Sequence, residues 1–301
     1  VWSSKYMTPF FIALQFLTRL KIVNQTEWTM EDFGKSVATF PYIGLIIGIF
    51  LTIIYFIFSQ FLAPVPLMLI IVISEFLFTG GLHADGLMDT SDGLFSGRER
   101  EKKLEIMKDS RIGSFGVVAF VFVTLLKWQL LTAIPIPEFI PIILIMMPLM
   151  SRYTLILSIR SYPYARKSGM GQAFAEYAPK HVITWSTIST LCMPLIICII
   201  LAFLYALALG VTSIFSIPFI PFNMAMFGLA YTCIGLMEIN IFSMIISYII
   251  NRILNHYIVK QLGGTTGDTY GFVVELTEVL LILVYIITLT FLSTFLKGPI
   301  F

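Results

Sequence analysis

The feature that most restricts this chain is a series of apolar runs, several longer than 20 residues, separated by short polar connections. A bilayer core is roughly 30 Å thick and a helix rises about 1.5 Å per residue, so runs of this length can cross it as helices. Composition agrees, because 58% of the 301 residues are hydrophobic and only 12% are charged. That is about half the charged fraction of a soluble domain. Seven spans are predicted, at 37–62, 65–82, 112–134, 139–159, 182–209, 222–250 and 273–296. The apolar stretch 9–20 is too short to cross, and is predicted to be an interfacial or re-entrant helix. The expected fold is therefore all-α, a multi-pass integral membrane helical bundle forming one domain over 1–301. No positive segment followed by a short apolar run and a small-residue cleavage site opens the sequence, so no cleavable signal peptide is expected. Cys192, Cys198 and Cys233 lie in apolar runs without CxxC spacing, which argues against a disulfide framework or a zinc site. A net charge of +2 gives no sign of a nucleic-acid partner.

Charge orients the spans. The connections 59–66, 135–141 and 210–221 carry no Lys or Arg, whereas the intervening ones do. Lys5, Arg19, Lys21 and Lys35 precede the first span. Arg98, Arg100, Lys102, Lys103, Lys108 and Arg111 lie between the second and third. Arg160, Arg166, Lys167 and Lys180 follow the fourth, and Arg252 and Lys260 the sixth. Thus 16 of 19 basic residues fall on one side, which the positive-inside rule makes cytoplasmic. The chain is expected in the cytoplasmic membrane, with its motif loops 80–116 and 263–278 facing the cytoplasm.

Those loops carry the chemistry. In the first, Gly80 and Gly81 precede Asp85, Asp89 and Asp92, spaced i, i+4 and i+7. On a helix these carboxylates share an arc of roughly 60°. They repel one another unless a cation lies between them, and a hard divalent ion such as Mg²⁺ takes oxygen ligands while keeping waters and substrate phosphates. Paired glycines let backbone N–H groups approach a ligand. A solvated acidic loop is the plainer reading, but acids beside a span more often mark a site. The second loop echoes the first: Gly263 and Gly264, then Asp268, with Glu275 and Glu278 entering the last span. Helix capping at Asp268 or Thr269 explains part of this loop, but not two acids inside an apolar run.

Two further polar stretches are ambiguous. Ten of the fourteen residues Arg98–Arg111 are charged, as in a solvated helix, yet Lys108 and Arg111 could hold phosphate near the Asp cluster. Around Arg166, cations beside Tyr162 and Tyr164 could bind a ring and a phosphate, or simply form an interfacial belt. Glu75, Lys127, Arg152 and Glu238 lie deep in spans and each needs a partner or a wet cavity; Arg152 could also reach a phosphate.

The motif residues resemble the cobalamin-5-phosphate synthase family. Leu82-His83-Ala84-Asp85-Gly86-Leu87-Met88-Asp89-Thr90-Ser91-Asp92-Gly93-Leu94, followed by Arg100–Gly116, is similar to that family's core motif. Ala13–Leu20, Phe40–Gly44, Ser151-Arg152, Pro163–Arg166 and Gly263–Glu278 extend the resemblance along nearly the whole chain. The resemblance implies an Mg²⁺-dependent transferase. A ribazole hydroxyl attacks the phosphorus of adenosylcobinamide-GDP, GMP leaves, and adenosylcobalamin forms, or its 5′-phosphate if α-ribazole 5′-phosphate is the acceptor. It further implies that Asp85, Asp89, Asp92 and Asp268 bind metal, and that one of these, or Glu275 or His83, accepts the hydroxyl proton. Lys108, Arg111, Arg152 and Arg166, with Gly80, Gly81, Gly263 and Gly264, would then bind substrate. Besides substrates the expected partner is membrane lipid, and homo-oligomerisation stays open. A CDP-alcohol phosphotransferase or an intramembrane prenyltransferase would also use Asp clusters, but their usual spacings differ from Asp85–Asp92. A secondary transporter would place its acids near mid-membrane rather than at one interface.

Overall fold

A computed structural model describes residues 8–23, 28–166, 169–196, 199 and 222–297. The helices are α1 (Thr8–Leu17), α2 (Met30–Ser36), α3 (Phe40–Phe58), α4 (Pro64–Thr79), α5 (Leu82–Phe95) and α6 (Arg100–Ile106). They continue with α7 (Ser114–Thr132), α8 (Ile140–Ser161), α9 (Met170–Tyr177), α10 (Val182–Ile196), α11 (Phe222–Leu262) and α12 (Gly267–Lys297). No strand occurs among the described residues; one parallel bridge joins Tyr164 to Thr265. The all-helical bundle is as expected.

The span count needs adjustment. Five helical stretches are long and apolar enough to cross: Met30–Phe58, Ser114–Thr132, Pro137–Ser161, Ile234–Leu262 and Gly267–Thr294. α4 and α5 together count as a sixth only if the 91° bend between them lies within one span. The predicted span 182–209 is seen only as α10, and its remainder lies largely outside the described residues. Helix ends also differ from expectation. α11 runs on past 250 to Leu262, where Gly263 takes a left-handed φ of 73° and stops it. α12 starts at Gly267 rather than 273, because the Thr266 hydroxyl accepts the Thr269 N–H at 3.2 Å and caps it.

α8 is the central helix, buried along nearly all its length. α3 lies close against it because Gly44 and Gly48 have no side chain; a Cβ on Gly48 would stand 2.6 Å from Ile145 Cα. Small residues at crossing points are how membrane helices gain contact without a hydrophobic driving force. α1 has ten residues, too few to cross, but it does not lie on the surface: Ile12, Ala13, Leu14 and Leu17 are all buried in the bundle.

Candidate active site

The site begins with two glycines. Gly80 ends α4 at φ 68° and Gly81 opens α5 at φ 72°, both left-handed. Two such residues in succession turn the chain through 91°, so α5 leaves the axis of α4. The predicted loop is therefore a helix, outside the five stretches long and apolar enough to cross alone, and its three Asp are displayed as the spacing required. Arg19 fixes the bend from the tail of α1. Its backbone N–H donates to Phe78 at 2.8 Å and its guanidinium donates to the Gly80 carbonyl at 3.2 Å.

The roughly 60° arc is wide enough to divide the three carboxylates. Asp92 turns to α7 and accepts the Gly113 N–H at 2.7 Å and the Gly116 N–H at 2.8 Å. Its two oxygens thus satisfy the free donors at a helix start. Asp92, 8% exposed, is an anchor for α7 rather than a free ligand. Asp85 is exposed and Asp89 half-buried on the other part of the arc.

Asp268 reaches them through a close helix crossing. A Cβ on Gly86 would stand 2.6 Å from the Asp268 carbonyl oxygen, and one on Gly271 would stand 2.7 Å from the His83 carbonyl oxygen. α5 and α12 therefore touch backbone to backbone at Gly86 and Gly271. Gly264 packs as tightly on the 163–165 segment, where Ala165 N–H donates to Thr265 and Thr265 N–H to Pro163, both at 2.8 Å. That clamp brings Arg166 to Asp268, ion-paired at 2.7 Å.

Asp85, Asp89 and Asp268 with one neighbouring cation form an acid-rich cleft. Burial first, then the charges of Asp85, Asp268 and Asp92, push the Asp89 carboxyl up to about 7, against the pull of Arg166. Among the described residues no three acidic, His or Cys side chains gather closely enough to cage a metal ion unaided. Mg²⁺ does not require such a cage: one or two carboxylates, waters and substrate phosphates suffice. An all-oxygen donor set with excess negative charge beside solvent fits that mode.

Two spaces adjoin at Asp85. One is a cavity of ≈190 Å³ walled by Phe16, Phe40, Leu155, Ile159 and Phe174, with Asp85 and Asp268 among its few charged lining residues. The other is an open groove of ≈400 Å³ lined by Gln15, Thr18, Arg19, Gly80 and Gly81. Phe16, Leu82 and Asp85 belong to both.

Deeper in the bundle lies a second charge cluster. Lys127 of α7 contacts Glu278, Glu275 at 3.1 Å and Glu75 at 3.3 Å. Arg152 of α8 pairs with Glu278 and lies 3.7 Å from Glu75. Ser151 donates to Glu278 at 2.8 Å, and Arg152 donates to His83 Nδ1 at 3.3 Å. Arg152, 1% exposed, is thus committed inside the bundle rather than presented to a substrate phosphate. His83 and Glu275 likewise have buried cationic partners. Lys108 and Arg111 are not drawn to the carboxylates either. Arg111 is 88% exposed and pairs with Asp109 at 2.7 Å, while Lys108 is exposed without a side-chain partner among the described residues. Glu238 stays apart from both clusters and lines a separate cavity beside Tyr285.

In the sequence Arg19 entered through topology and the Ala13–Leu20 resemblance, without a role in the site, and the Phe16, Phe40 and Phe174 wall had no assigned role. Apolar aromatics in a membrane chain carry no signal until packing gathers them. A family model described as cobalamin-5-phosphate synthase matches residues 9–286. A protein of Fusobacterium nucleatum named adenosylcobinamide-GDP ribazoletransferase is 35% identical, over 95% of this chain and 99% of its own length. Proteins with the same name from Acetivibrio thermocellus and Acinetobacter baumannii are 31% and 33% identical, over 93% and 95% of this chain and 98% and 100% of their own lengths. No solved structure matches.

Proposed function

This chain belongs to the cobalamin-5-phosphate synthase family, and from that premise we infer that its acid-rich cleft performs the ribazoletransferase reaction for which its relatives are named. The observation that carries this reading is the Gly86–Gly271 crossing, which sets Asp268 beside Asp85 and Asp89. Phosphoryl transfer asks a protein mainly to position reactants and neutralise charge. A hydroxyl of α-ribazole, or of its 5′-phosphate, attacks the phosphorus that links the corrinoid's aminopropanol arm to GDP. The new O–P bond forms as the bond to the GMP phosphate breaks, and GMP leaves. Asp85 and Asp89 are the accessible carboxylates that can take the hydroxyl proton. Arg19 and Arg166 flank the cleft and hold phosphate oxygens in place. Mg²⁺, if held by one or two of Asp85, Asp89 and Asp268 with waters and substrate phosphates completing its shell, would neutralise the developing phosphate charge and leave a carboxylate free for the proton.

The test is direct. Purified protein given adenosylcobinamide-GDP, α-ribazole and Mg²⁺ should yield cobalamin and GMP, and chelation should stop it. Absence of both products under these conditions would overturn the reading. Orientation is a separate part of the proposal, resting on the positive-inside bias. In a background without native cysteines, Arg98→Cys and Lys260→Cys should label with an impermeant thiol reagent only after cells are permeabilised. Labelling of either site in intact cells refutes a cytoplasmic cleft.

A further inference from the structure

We propose that the aromatic cavity beside Asp85 receives the base of the acceptor nucleoside, and that it selects a flat, apolar bicyclic base over a polar purine. This rests on the transferase reading above and adds which substrate part lies where. The cavity, ≈190 Å³, has room for a bicyclic ring system but not for a corrin macrocycle. Its wall is assembled from four separate elements. Phe174 of α9 meets Phe16 of α1 edge-on at 5.3 Å between ring centres and Phe40 of α3 at 5.6 Å. Leu155 and Ile159 of α8 complete the apolar lining. Phe40 and Phe174 are 1% and 4% exposed, so the rings are held by packing and do not swing into solvent. Edge-on aromatic rings form a rigid surface on which a flat ring loses little entropy in binding.

The chemistry of the walls decides between bases. Guanine buries an amide, a carbonyl and an amino group, each costly without a partner. The rings and aliphatic side chains of this cavity offer none. Its polar side chains all come from α5 and α12, where His83 is engaged with Arg152 at 3.3 Å, Asp268 with Arg166 at 2.7 Å and the Tyr270 hydroxyl with Thr265 at 3.3 Å, and Asp85 is left for the ribose. The base of ribazole, a dimethylbenzimidazole, carries methyl groups on its outer edge and suits an apolar end. Its ribose would then project toward Asp85 and Asp268, which line the same cavity. The adjoining groove with Arg19 is left for the nucleotide phosphate. In-line displacement needs attacking and leaving oxygens on opposite sides of phosphorus. Two spaces that meet at one carboxylate allow that.

The experiment is a competition among acceptors: α-ribazole, the unsubstituted benzimidazole riboside, the adenine riboside and a bulkier naphthimidazole riboside. Wild type should prefer the benzimidazoles to adenine by at least about tenfold in kcat/KM, as expected when a polar edge meets an apolar pocket. Phe174→Ala enlarges the cavity and should gain use of the naphthimidazole riboside, a gain that misfolding cannot imitate. Leu155→Phe narrows it, and should raise the acceptor KM for ribazole more than for benzimidazole riboside while leaving the KM for adenosylcobinamide-GDP unchanged. If Phe174→Ala gains nothing, or either variant moves only the donor KM, the cavity does not hold the acceptor base, although the transferase reading stands. If wild type joins no acceptor to the donor, the transferase reading itself fails.

Discussion

The cleft at Asp85 and the cluster at Lys127 are built from the same residue types, and α12 contributes to both. Asp268 and Glu278 are ten residues apart on that helix, about 15 Å along its axis. In the cluster three glutamates meet two cations, and every charge has a partner within the bundle. In the cleft Asp85, Asp89 and Asp268 have Arg166 as their ion-pair partner, at Asp268. Burial explains the contrast. A charge inside the bundle has no water and must be paired by protein. Around the exposed Asp85, water tolerates an excess of negative charge, which is then available to attract a cation or to handle a proton. One arrangement holds helices together, and the other leaves chemistry unfinished.

The comparison predicts where mutations will be felt. The largest effect should come from Lys127→Met, which leaves the buried Glu75 and Glu278 with Arg152 as their ion-pair partner and takes from Glu275 its own. Breaking a buried ion pair by removing one partner costs about 3–5 kcal/mol, so the variant should lose much of its thermal stability or its folded yield. Lys127→Met combined with Glu75→Gln should recover part of that loss. A single variant as stable as wild type would show that the cluster does not tie the helices.

Asp85→Asn should do the reverse. Asp85 is exposed and anchors nothing, so Tm should hold, while kcat/KM falls by about 10²-fold or more, as expected for lost charge stabilisation at a reacting phosphate. Near-normal turnover at limiting Mg²⁺ would remove Asp85 from the site.

A smaller effect concerns pH. The Asp89 carboxyl is raised from an ordinary 3.8 to about 7 in the folded protein. The folded state therefore binds this proton more tightly than the unfolded state does. Its cost to stability is absent below about pH 4, grows through the interval, and is complete above about 7. In chelated protein Asp89→Asn should raise Tm more at pH 8 than at pH 5, by no more than a few degrees because the half-exposed side chain is screened by solvent. Equal shifts at both pH values would show that the neighbouring carboxylates do not load this position. The smallest effect is expected at Arg111. Arg111→Ala should change kcat/KM by less than about twofold, as for other exposed positions; a tenfold fall would return this arginine to the substrate.

The sequence by itself determined the solvent of the fold and the outline of the site. Apolar runs must cross the bilayer as helices, because only a helix satisfies its own backbone there. The i, i+4, i+7 spacing of Asp85, Asp89 and Asp92 fixed their common face, since helical geometry is local. The motifs also carried the family. Tertiary structure alone decided which charges meet. Glu75, Lys127 and Arg152 were visible as buried charges needing partners, but pairing with Glu275 and Glu278 depends on how four helices pack, which no local pattern encodes. The same holds for Asp92, whose oxygens are claimed by Gly113 and Gly116 from a different helix start. It holds too for the glycines at 86 and 271: each reads as an ordinary motif glycine, and only the packed bundle shows that the absence of both side chains lets Asp268 reach Asp85 and Asp89.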